Sequence, residues 1–205
     1  MSARDFEEYG IIGWTGSRGN GKTTGMVNKA IGKVRAGRYL KAFGNLHLRM
    51  PNYTFLDLSV VEKDGKGRTI FYPELERMRA DSPNGIPSAL MLIDQLHKYA
   101  PSHRTGAKDV LKFTNICVEM RQHGFDLYWT TWAKSSVVNR IRKFTEMQYD
   151  CYRVPPKPYP LRGFSYIPID IETGPQRAVF MPKSQAEDVW TYFQTTEVAL
   201  APPVV

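Results

Sequence analysis

The order of apolar and polar residues along the chain predicts alternating strands and helices. Short apolar runs around Ile11 and Ile12 and at residues 88–94 and 125–131 are typical of strands buried on both faces of a parallel sheet. Between these runs, residues 24–34 and 106–123 repeat apolar side chains at helical spacing. The pattern predicts an α/β fold in which a central, mainly parallel sheet is flanked by helices.

Shorter elements are predicted around this framework. In chain order they are strands at 41–48 and 53–61, a turn at 63–68, a strand at 69–72, a helix opened by proline at 73–79, a short helix beyond Ser135, a strand at 144–154, a proline-rich link at 155–160, strands at 164–171 and 176–181, and a helix at 185–193. Extra β-strands are therefore expected at the C-terminal end of this framework. The length suits one domain, residues 1–205, with flexible ends at 1–8 and 196–205.

A phosphate-binding motif lies between the first strand and the first helix. Gly16 to Thr23 reads Gly-Ser-Arg-Gly-Asn-Gly-Lys-Thr, a complete P-loop of the form G-x-x-x-x-G-K-T. Its backbone N–H groups and the charge of Lys22 suit the phosphates of a nucleotide, and the Thr23 hydroxyl suits Mg²⁺. ATP and Mg²⁺ are the expected cofactors. The predicted binding residues are Gly16, Ser17, Arg18, Gly19, Asn20, Gly21, Lys22, Thr23 and Thr24.

A single acid ends the apolar run at 88–94. Asp94 is the expected Walker B carboxylate, which would hold Mg²⁺ near Thr23. The residue after it is Gln95, where many hydrolytic P-loop enzymes have a glutamate that polarises the attacking water. Three interpretations are open: Gln95 only positions water, another carboxylate acts, or a Glu→Gln replacement traps the bound state. With glutamine at this position, slow or partner-dependent hydrolysis is predicted.

Two further segments carry a family resemblance. Residues 92–101, Leu-Ile-Asp-Gln-Leu-His-Lys-Tyr-Ala-Pro, resemble the Walker B segment of the FtsK/HerA superfamily of DNA-pumping ATPases, although they differ from it at Gln95 and Leu96. Residues 119–131 resemble that superfamily's helix ending in arginine and its sensor strand, and residues 135–142 its next short helix. The chain's size is similar to that of the viral branch, in particular the genome-packaging ATPases of archaeal turreted icosahedral viruses.

The resemblance implies a RecA-like P-loop fold with an additional strand, and a homo-oligomeric ring, a hexamer or a pentamer, that pumps double-stranded DNA into a preformed capsid. It implies catalytic roles for Lys22, Asp94 and Gln95, for a sensor at Thr131 or Thr130, and for Arg121 as a finger reaching into the neighbouring subunit. Arg104 and Arg140 are rivals for that last role. Asn45 is expected either to act as a polar switch or simply to end its strand.

Net charge favours a polyanionic partner. The chain carries a formal charge of +8 and has a pI near 9.5. Residues 134–162 hold seven basic against two acidic side chains, a difference of +5, with interleaved aromatic residues. Arg49, Lys63, Lys66 and Arg68 form a second basic group. Both groups are candidates for sequence-independent contact with DNA, and both suit a solvated surface equally well.

Other features bear on location. Cys117 and Cys151 fit neither a disulfide framework nor a zinc site, and no signal peptide or membrane-spanning run is evident, so an intracellular location is expected. For a packaging ATPase this means the host cytoplasm or a virion's packaging vertex, with capsid-vertex or internal-membrane proteins as further partners.

Two alternatives to the DNA motor fit the same motif. One is a nucleotide or small-molecule kinase, which would need a lid with clustered arginines. The other is an ATP-dependent assembly or secretion protein, similar to the phage-encoded assembly ATPases of the zonula occludens toxin family.

Overall fold

A twisted sheet forms the centre of the computed structural model, which describes residues 10–59, 61–75, 89–122 and 125–193. The predicted flexible ends lie outside these ranges. The strands are β1 Ile11–Thr15, β2 Lys41–Gly44, β3 Tyr53–Phe55, β4 Val61–Lys63, β5 Thr69–Phe71, β6 Ala89–Ile93, β7 Phe125–Thr131, β8 Thr145–Val154, β9 Gly163–Asp170, β10 Gly174–Pro175 and β11 Val179–Pro182. The helices are α1 Lys22–Arg35, α2 Lys108–Gln122, α3 Asn139–Phe144 and α4 Lys183–Trp190.

Strand order confirms the predicted fold class. The sheet runs β10-β9-β8-β1-β7-β6-β2-β3, and β11 also pairs with β9. The six strands from β8 to β3 are parallel to their neighbours, whereas β9, β10 and β11 pair antiparallel. One strand, β7, is inserted between β1, which leads into the P-loop, and β6, which ends at Asp94. This is the additional-strand arrangement, and the antiparallel part is the predicted C-terminal addition.

Each face of the sheet has its own core, because successive side chains of a strand point to opposite faces. Ile11 and Met91 belong to the cluster that contains Phe113 of α2, whereas Ile12 and Leu90 belong to the cluster that contains Met26 of α1. Strands β1, β6 and β7 are buried throughout, as their continuous apolar runs predict. The parallel strands are thereby fixed at the centre, and their carboxyl ends form one edge.

Several predicted elements are shorter than expected. The strand predicted at 41–48 ends at Gly44, because the Asn45 side chain turns to bind the backbone after β6, and Leu48 makes only an isolated bridge to Phe193. The strand predicted at 53–61 ends at Phe55; β4 and β5 instead pair as a separate two-stranded hairpin. Residues 73–75 are helical, and the remainder of the helix predicted at 73–79 lies outside the described residues.

Candidate functional site

The P-loop lies at the carboxyl edge of the sheet and is shaped by the strands beside it. Gly21 adopts a left-handed φ of 78° at the start of α1, and a Cβ there would lie 2.5 Å from the ring of Phe164 in β9. Tyr166, also in β9, donates its hydroxyl proton to the Gly21 carbonyl oxygen at 3.0 Å. Asn20 Nδ2 donates to the carbonyl of Cys151 in β8 at 2.8 Å. The antiparallel C-terminal strands therefore support the loop.

The structure brings the predicted phosphate-binding residues together in one loop, although the Thr24 side chain is engaged elsewhere. Lys22 Nζ donates to the Ser17 carbonyl oxygen at 3.0 Å, inside the loop. The first turn of α1 has no acidic residue, so the partial positive charge of the helix N-terminus faces the loop unopposed. The Thr24 hydroxyl, however, is buried and accepts a hydrogen bond from Trp190 Nε1 at 2.9 Å, so it joins α1 to α4.

Asp94 links the P-loop to the neighbouring strand β7. Its Oδ1 atom accepts hydrogen bonds from the hydroxyls of Thr23, at 2.8 Å, and Thr130, at 2.6 Å. Thr130 in turn accepts the backbone N–H of Gln95 at 3.0 Å. Of the two threonines that sequence left as alternatives, Thr130 thus contacts the Asp94 carboxylate. Thr131 instead contacts His97 and Ser136, at 3.0 and 2.8 Å.

Gln95 is held in an unusual backbone conformation. Its φ and ψ angles are 56° and 50°, the left-handed region that non-glycine residues seldom adopt. The Asn45 side chain binds the Asp94 backbone before it, and the Thr130 hydroxyl accepts the N–H of Gln95 itself. The Gln95 side chain is exposed at the edge of the site. The fold therefore places the side chain of residue 95 at the edge of the site, and that side chain is a glutamine rather than a glutamate.

Three residues of the site have contacts for which the sequence holds little or no signal. Asn45 binds the Asp94 backbone, and only its place one residue after a strand hinted at this. His97 has no partner at metal-ligand spacing along the sequence, so no motif points to it. Asp150, from β8, accepts hydrogen bonds at Oδ1 from the Thr15 hydroxyl at 2.6 Å and from Gln148 Nε2 at 2.8 Å. No periodicity or spacing signal connects residues so distant along the chain.

A cavity of about 360 Å³ opens beside the loop. It lies between the P-loop and the ends of β7 and β8, and its walls include Ser17, Trp132, Lys134, Asp150 and Tyr152. The indole of Trp132 and the phenol of Tyr152 are about half exposed, at 59% and 48%. An open, mixed polar and aromatic cavity thus adjoins the phosphate-binding loop.

The arginine candidates differ in their surroundings. Arg121 lies in the last turn of α2, and its side chain falls outside the described residues. Arg104 forms an ion pair with Asp109 at 3.3 Å and is half exposed. The Arg140 guanidinium, also exposed, donates to the Asn115 side chain. Within the described ranges, then, Arg104 and Arg140 both have partners on α2 of the same chain.

No cluster of three or more histidine, cysteine or acidic side chains that would hold a metal ion occurs in the described ranges. Cys117 and Cys151 are free and buried. None of the helices in the described ranges has both the length and the apolar character needed to cross a membrane.

Comparisons with known proteins agree with this geometry. The zonular occludens toxin (Zot) family profile matches residues 11–155. The N-terminal domain of zonular occludens toxin from Neisseria meningitidis has a similar structure, with a TM-score of 0.62 and 15% identity, over 91% of this chain and 99% of that chain. No curated protein sequence matches the chain.

Two other solved structures share the fold. The genome packaging NTPase B204 from Sulfolobus turreted icosahedral virus 2, in complex with ATP-gammaS, has a TM-score of 0.56 and 12% identity, over 84% of this chain and 97% of that chain. EssC (ATPases 2 and 3) from Geobacillus thermodenitrificans has a TM-score of 0.55 and 13% identity, over 89% of this chain and 44% of that chain. The predicted resemblance to viral packaging ATPases is confirmed at the level of fold. Because the family match covers well over half of the chain, from the P-loop strand through β8, the chain belongs to the zonular occludens toxin family.

Proposed function

We propose that the chain is a Mg²⁺-dependent ATPase of the zonular occludens toxin type, which couples ATP hydrolysis to the assembly or transfer of a macromolecule. The observation that carries this proposal is the hydrogen-bonded unit of Thr23, Asp94 and Thr130 below the P-loop. It joins the loop that would hold phosphate to the strand end that would sense it. A loop that only bound an anion would not need this connection.

Nucleotide binding would use the whole loop from Gly16 to Thr24. The backbone N–H groups at the start of α1 would bind the phosphates, and Lys22 would exchange its contact with the Ser17 carbonyl for a phosphate oxygen. Since phosphate groups are anions, the absence of acidic residues in the first turn of α1 favours their binding there.

The donor set fits Mg²⁺. The ion prefers oxygen ligands and keeps several waters, so one hydroxyl and one carboxylate together with substrate phosphates suffice. Thr23 Oγ1 and Asp94 Oδ1 are such a pair, 2.8 Å apart. When bound, the ion would neutralise charge on the phosphates. Thr23 and Asp94 would hold it, directly or through water.

Catalysis would involve residues of the P-loop, of the neighbouring strand ends and of an adjacent subunit. Lys22 would stabilise charge on the transferred phosphoryl group, while Gln95 and Thr131 would lie near the attacking water. Arg121 would act on the site of a neighbouring subunit, in a hexameric or pentameric ring. Arginine fingers are worth about 10³- to 10⁵-fold in rate, so turnover per subunit would rise steeply with protein concentration.

Binding and turnover test this proposal separately. Fluorescent ATP titration should detect binding that Lys22→Ala abolishes and that Lys41→Ala, an exposed lysine on β2, leaves intact. Phosphate release should require Mg²⁺, and Arg121→Ala should abolish its rise with protein concentration. A purified chain that binds ATP and releases no phosphate at any concentration would leave a nonhydrolytic, ATP-gated assembly role in its place.

A second candidate function is DNA translocation, such as packaging of a viral genome into a capsid. Its support is the basic segment 134–162, in which Arg140, Lys143, Lys157 and Arg162 are exposed. The shared fold with a genome packaging NTPase agrees with it. Duplex DNA should then stimulate ATP turnover, and binding should weaken steeply as salt rises. Turnover indifferent to DNA would leave the assembly role.

The remaining partners and location follow from the choice between these roles. A packaging ATPase would act in the host cytoplasm or at a virion vertex, beside capsid-vertex or internal-membrane proteins. An assembly ATPase would instead form an ATP-dependent complex with coat or membrane proteins. Family membership favours the second arrangement over the first and over a kinase.

A further inference from the structure

The residue at position 95 leaves the site without its usual proton acceptor. A glutamine amide has no basic atom, whereas a glutamate there would accept a proton from the attacking water. A glutamine can still orient the attacking water, and a basic side chain within reach of the phosphates would speed hydrolysis by taking that proton. The inference below rests on the proposed ATPase function.

A chain of hydrogen bonds leads from the end of β7 to His97. Ser136 Oγ donates to the Ala133 carbonyl oxygen at 2.5 Å, because a carbonyl oxygen can only accept. The Ser136 hydroxyl has then used its single proton, so it accepts from Thr131, 2.8 Å away. The Thr131 hydroxyl has likewise used its proton and must accept from His97 Nδ1, at 3.0 Å.

The direction of these hydrogen bonds sets the tautomer of His97. Nδ1 carries the proton, and in a neutral imidazole the other nitrogen, Nε2, then has a free lone pair. Ser136 and Thr131 thus leave Nε2 as a hydrogen-bond acceptor. The opposite tautomer would break this series of hydrogen bonds, since Thr131 has no second proton to donate to Nδ1.

His97 also lies close to the nucleotide-binding groups. It sits in a short 3₁₀ turn, Leu96–Lys98, directly after Asp94 and Gln95, and its ring is edge-on to Trp132, which lines the cavity beside the P-loop. Burial lowers the pKa of His97, the positive charges of Lys98 and Lys22 lower it further, and the charge of Asp94 opposes them. The net lowering keeps the ring neutral near pH 7.

We propose that His97 is the general base for ATP hydrolysis, in the role that Gln95 cannot fill. Nε2 takes a proton from water as the water oxygen forms its bond to the γ-phosphorus. The bond from that phosphorus to the bridging oxygen breaks, and ADP leaves with the electron pair. The imidazolium then returns its proton to phosphate or solvent, which restores the neutral ring.

His97→Asn tests the proposal, because the asparagine amide nitrogen takes the place of Nδ1. It can still donate to Thr131, but it has no counterpart of Nε2. We expect kcat to fall by about 10²-fold or more, the usual worth of a general base. The KM for ATP, the ATP affinity and the melting temperature should stay near those of the unsubstituted chain.

A second substitution separates chemistry from structure. In the His97→Asn background, Gln95→Glu supplies a new carboxylate base and should restore much of the lost kcat. In the unsubstituted chain the same change should alter kcat only a few-fold, because His97 already acts. The acid limb of the pH–rate profile should also move to lower pH in the double variant, since a carboxylate titrates below an imidazole.

The outcomes distinguish the two proposals. If the unsubstituted chain hydrolyses ATP and His97→Asn does so at the same rate, the His97 assignment is wrong and the ATPase function stands. If kcat falls but Gln95→Glu does not restore it, His97 has a structural role only. If the unsubstituted chain binds ATP without hydrolysing it, the ATPase function fails and the role of His97 fails with it.

Discussion

Asn45 and Asp94 are joined by a reciprocal pair of hydrogen bonds. The Asp94 backbone N–H donates to Asn45 Oδ1 at 2.7 Å, and Asn45 Nδ2 donates to the Asp94 carbonyl oxygen at 2.9 Å. The same amide nitrogen lies 3.3 Å from the Tyr99 hydroxyl. Asn45 follows β2 and Asp94 follows β6, so one side chain bridges the ends of two neighbouring parallel strands. This side chain therefore fixes where the Asp94 carboxylate lies.

Replacing Asn45 with alanine should both destabilise the chain and weaken its use of Mg²⁺. Two backbone groups at Asp94 would lose their partners, and such a loss costs about 1–3 kcal/mol of unfolding free energy. Urea denaturation measures the first effect. The Mg²⁺ concentration for half-maximal turnover, which should increase, measures the second. Asn139→Ala, at an exposed helical position, is the control and should change neither quantity.

Lys157 brings a further positive charge to the P-loop, beside Arg18 and Lys22. A Cβ placed on Gly19 would lie 3.7 Å from Lys157 Nζ, which comes from the proline-rich link between β8 and β9. Lys157→Ala should weaken ATP binding about fivefold, or ~1 kcal/mol, with a smaller effect on AMP, which has fewer phosphates. Lys143→Ala, at an exposed position on α3, should leave the affinity unchanged. Equal losses for ATP and AMP would contradict a contact with the β- or γ-phosphate.

Lys29 should make stability depend on pH. Its ammonium is partly buried and donates to the Tyr149 hydroxyl at 2.7 Å. Burial, together with the charges of Lys33 and Arg38, lowers the pKa of Lys29 from 10.5 to about 7. The unfolded chain therefore binds more protons than the folded chain between these values, so stability should rise with pH from about 7 towards 10.

Chemical denaturation at pH 7 and pH 9 measures this rise. Lys29→Met should flatten it, because the variant has no proton to release at that site. Lys41→Met, an exposed lysine, should keep the dependence of the unsubstituted chain. An equal increase in Lys29→Met would assign the effect to other groups.

Gly21 and Gly37 provide a matched pair for the P-loop. Both have a left-handed φ, of 78° and 72°. A Cβ at Gly21 would contact Phe164 at 2.5 Å, whereas one at Gly37 would have no atom of the described residues within 4 Å. Gly37→Ala should cost about 1–2 kcal/mol, the cost of the left-handed backbone alone. Gly21→Ala should cost more and should also weaken ATP binding, which thermal unfolding and nucleotide titration would measure.

The sequence alone determined the fold class and half of the site. Short apolar runs bounded by turn residues are typical of strands covered on both faces, so β1, β6 and β7 could be predicted from composition and spacing. The P-loop is a local motif in which strand, glycine turn and helix are adjacent along the chain, so the residues proposed to bind phosphate could be predicted directly. Asp94 followed because it ends such a run.

Tertiary structure alone decided which polar groups meet. Asn45 and Asp94 follow the ends of β2 and β6, Thr130 lies near the end of β7, and Asp150 lies within β8 and contacts Thr15 of β1. These contacts depend on strand order and register rather than on spacing along the chain. Strand order also placed Thr130, and not Thr131, against Asp94, because adjacent residues in a strand point to opposite faces. His97 is a further example. The sequence places it in the Walker B segment, but its tautomer depends on the hydroxyls of Thr131 and Ser136, and only the folding of β7 and the turn after it brings these to the imidazole ring.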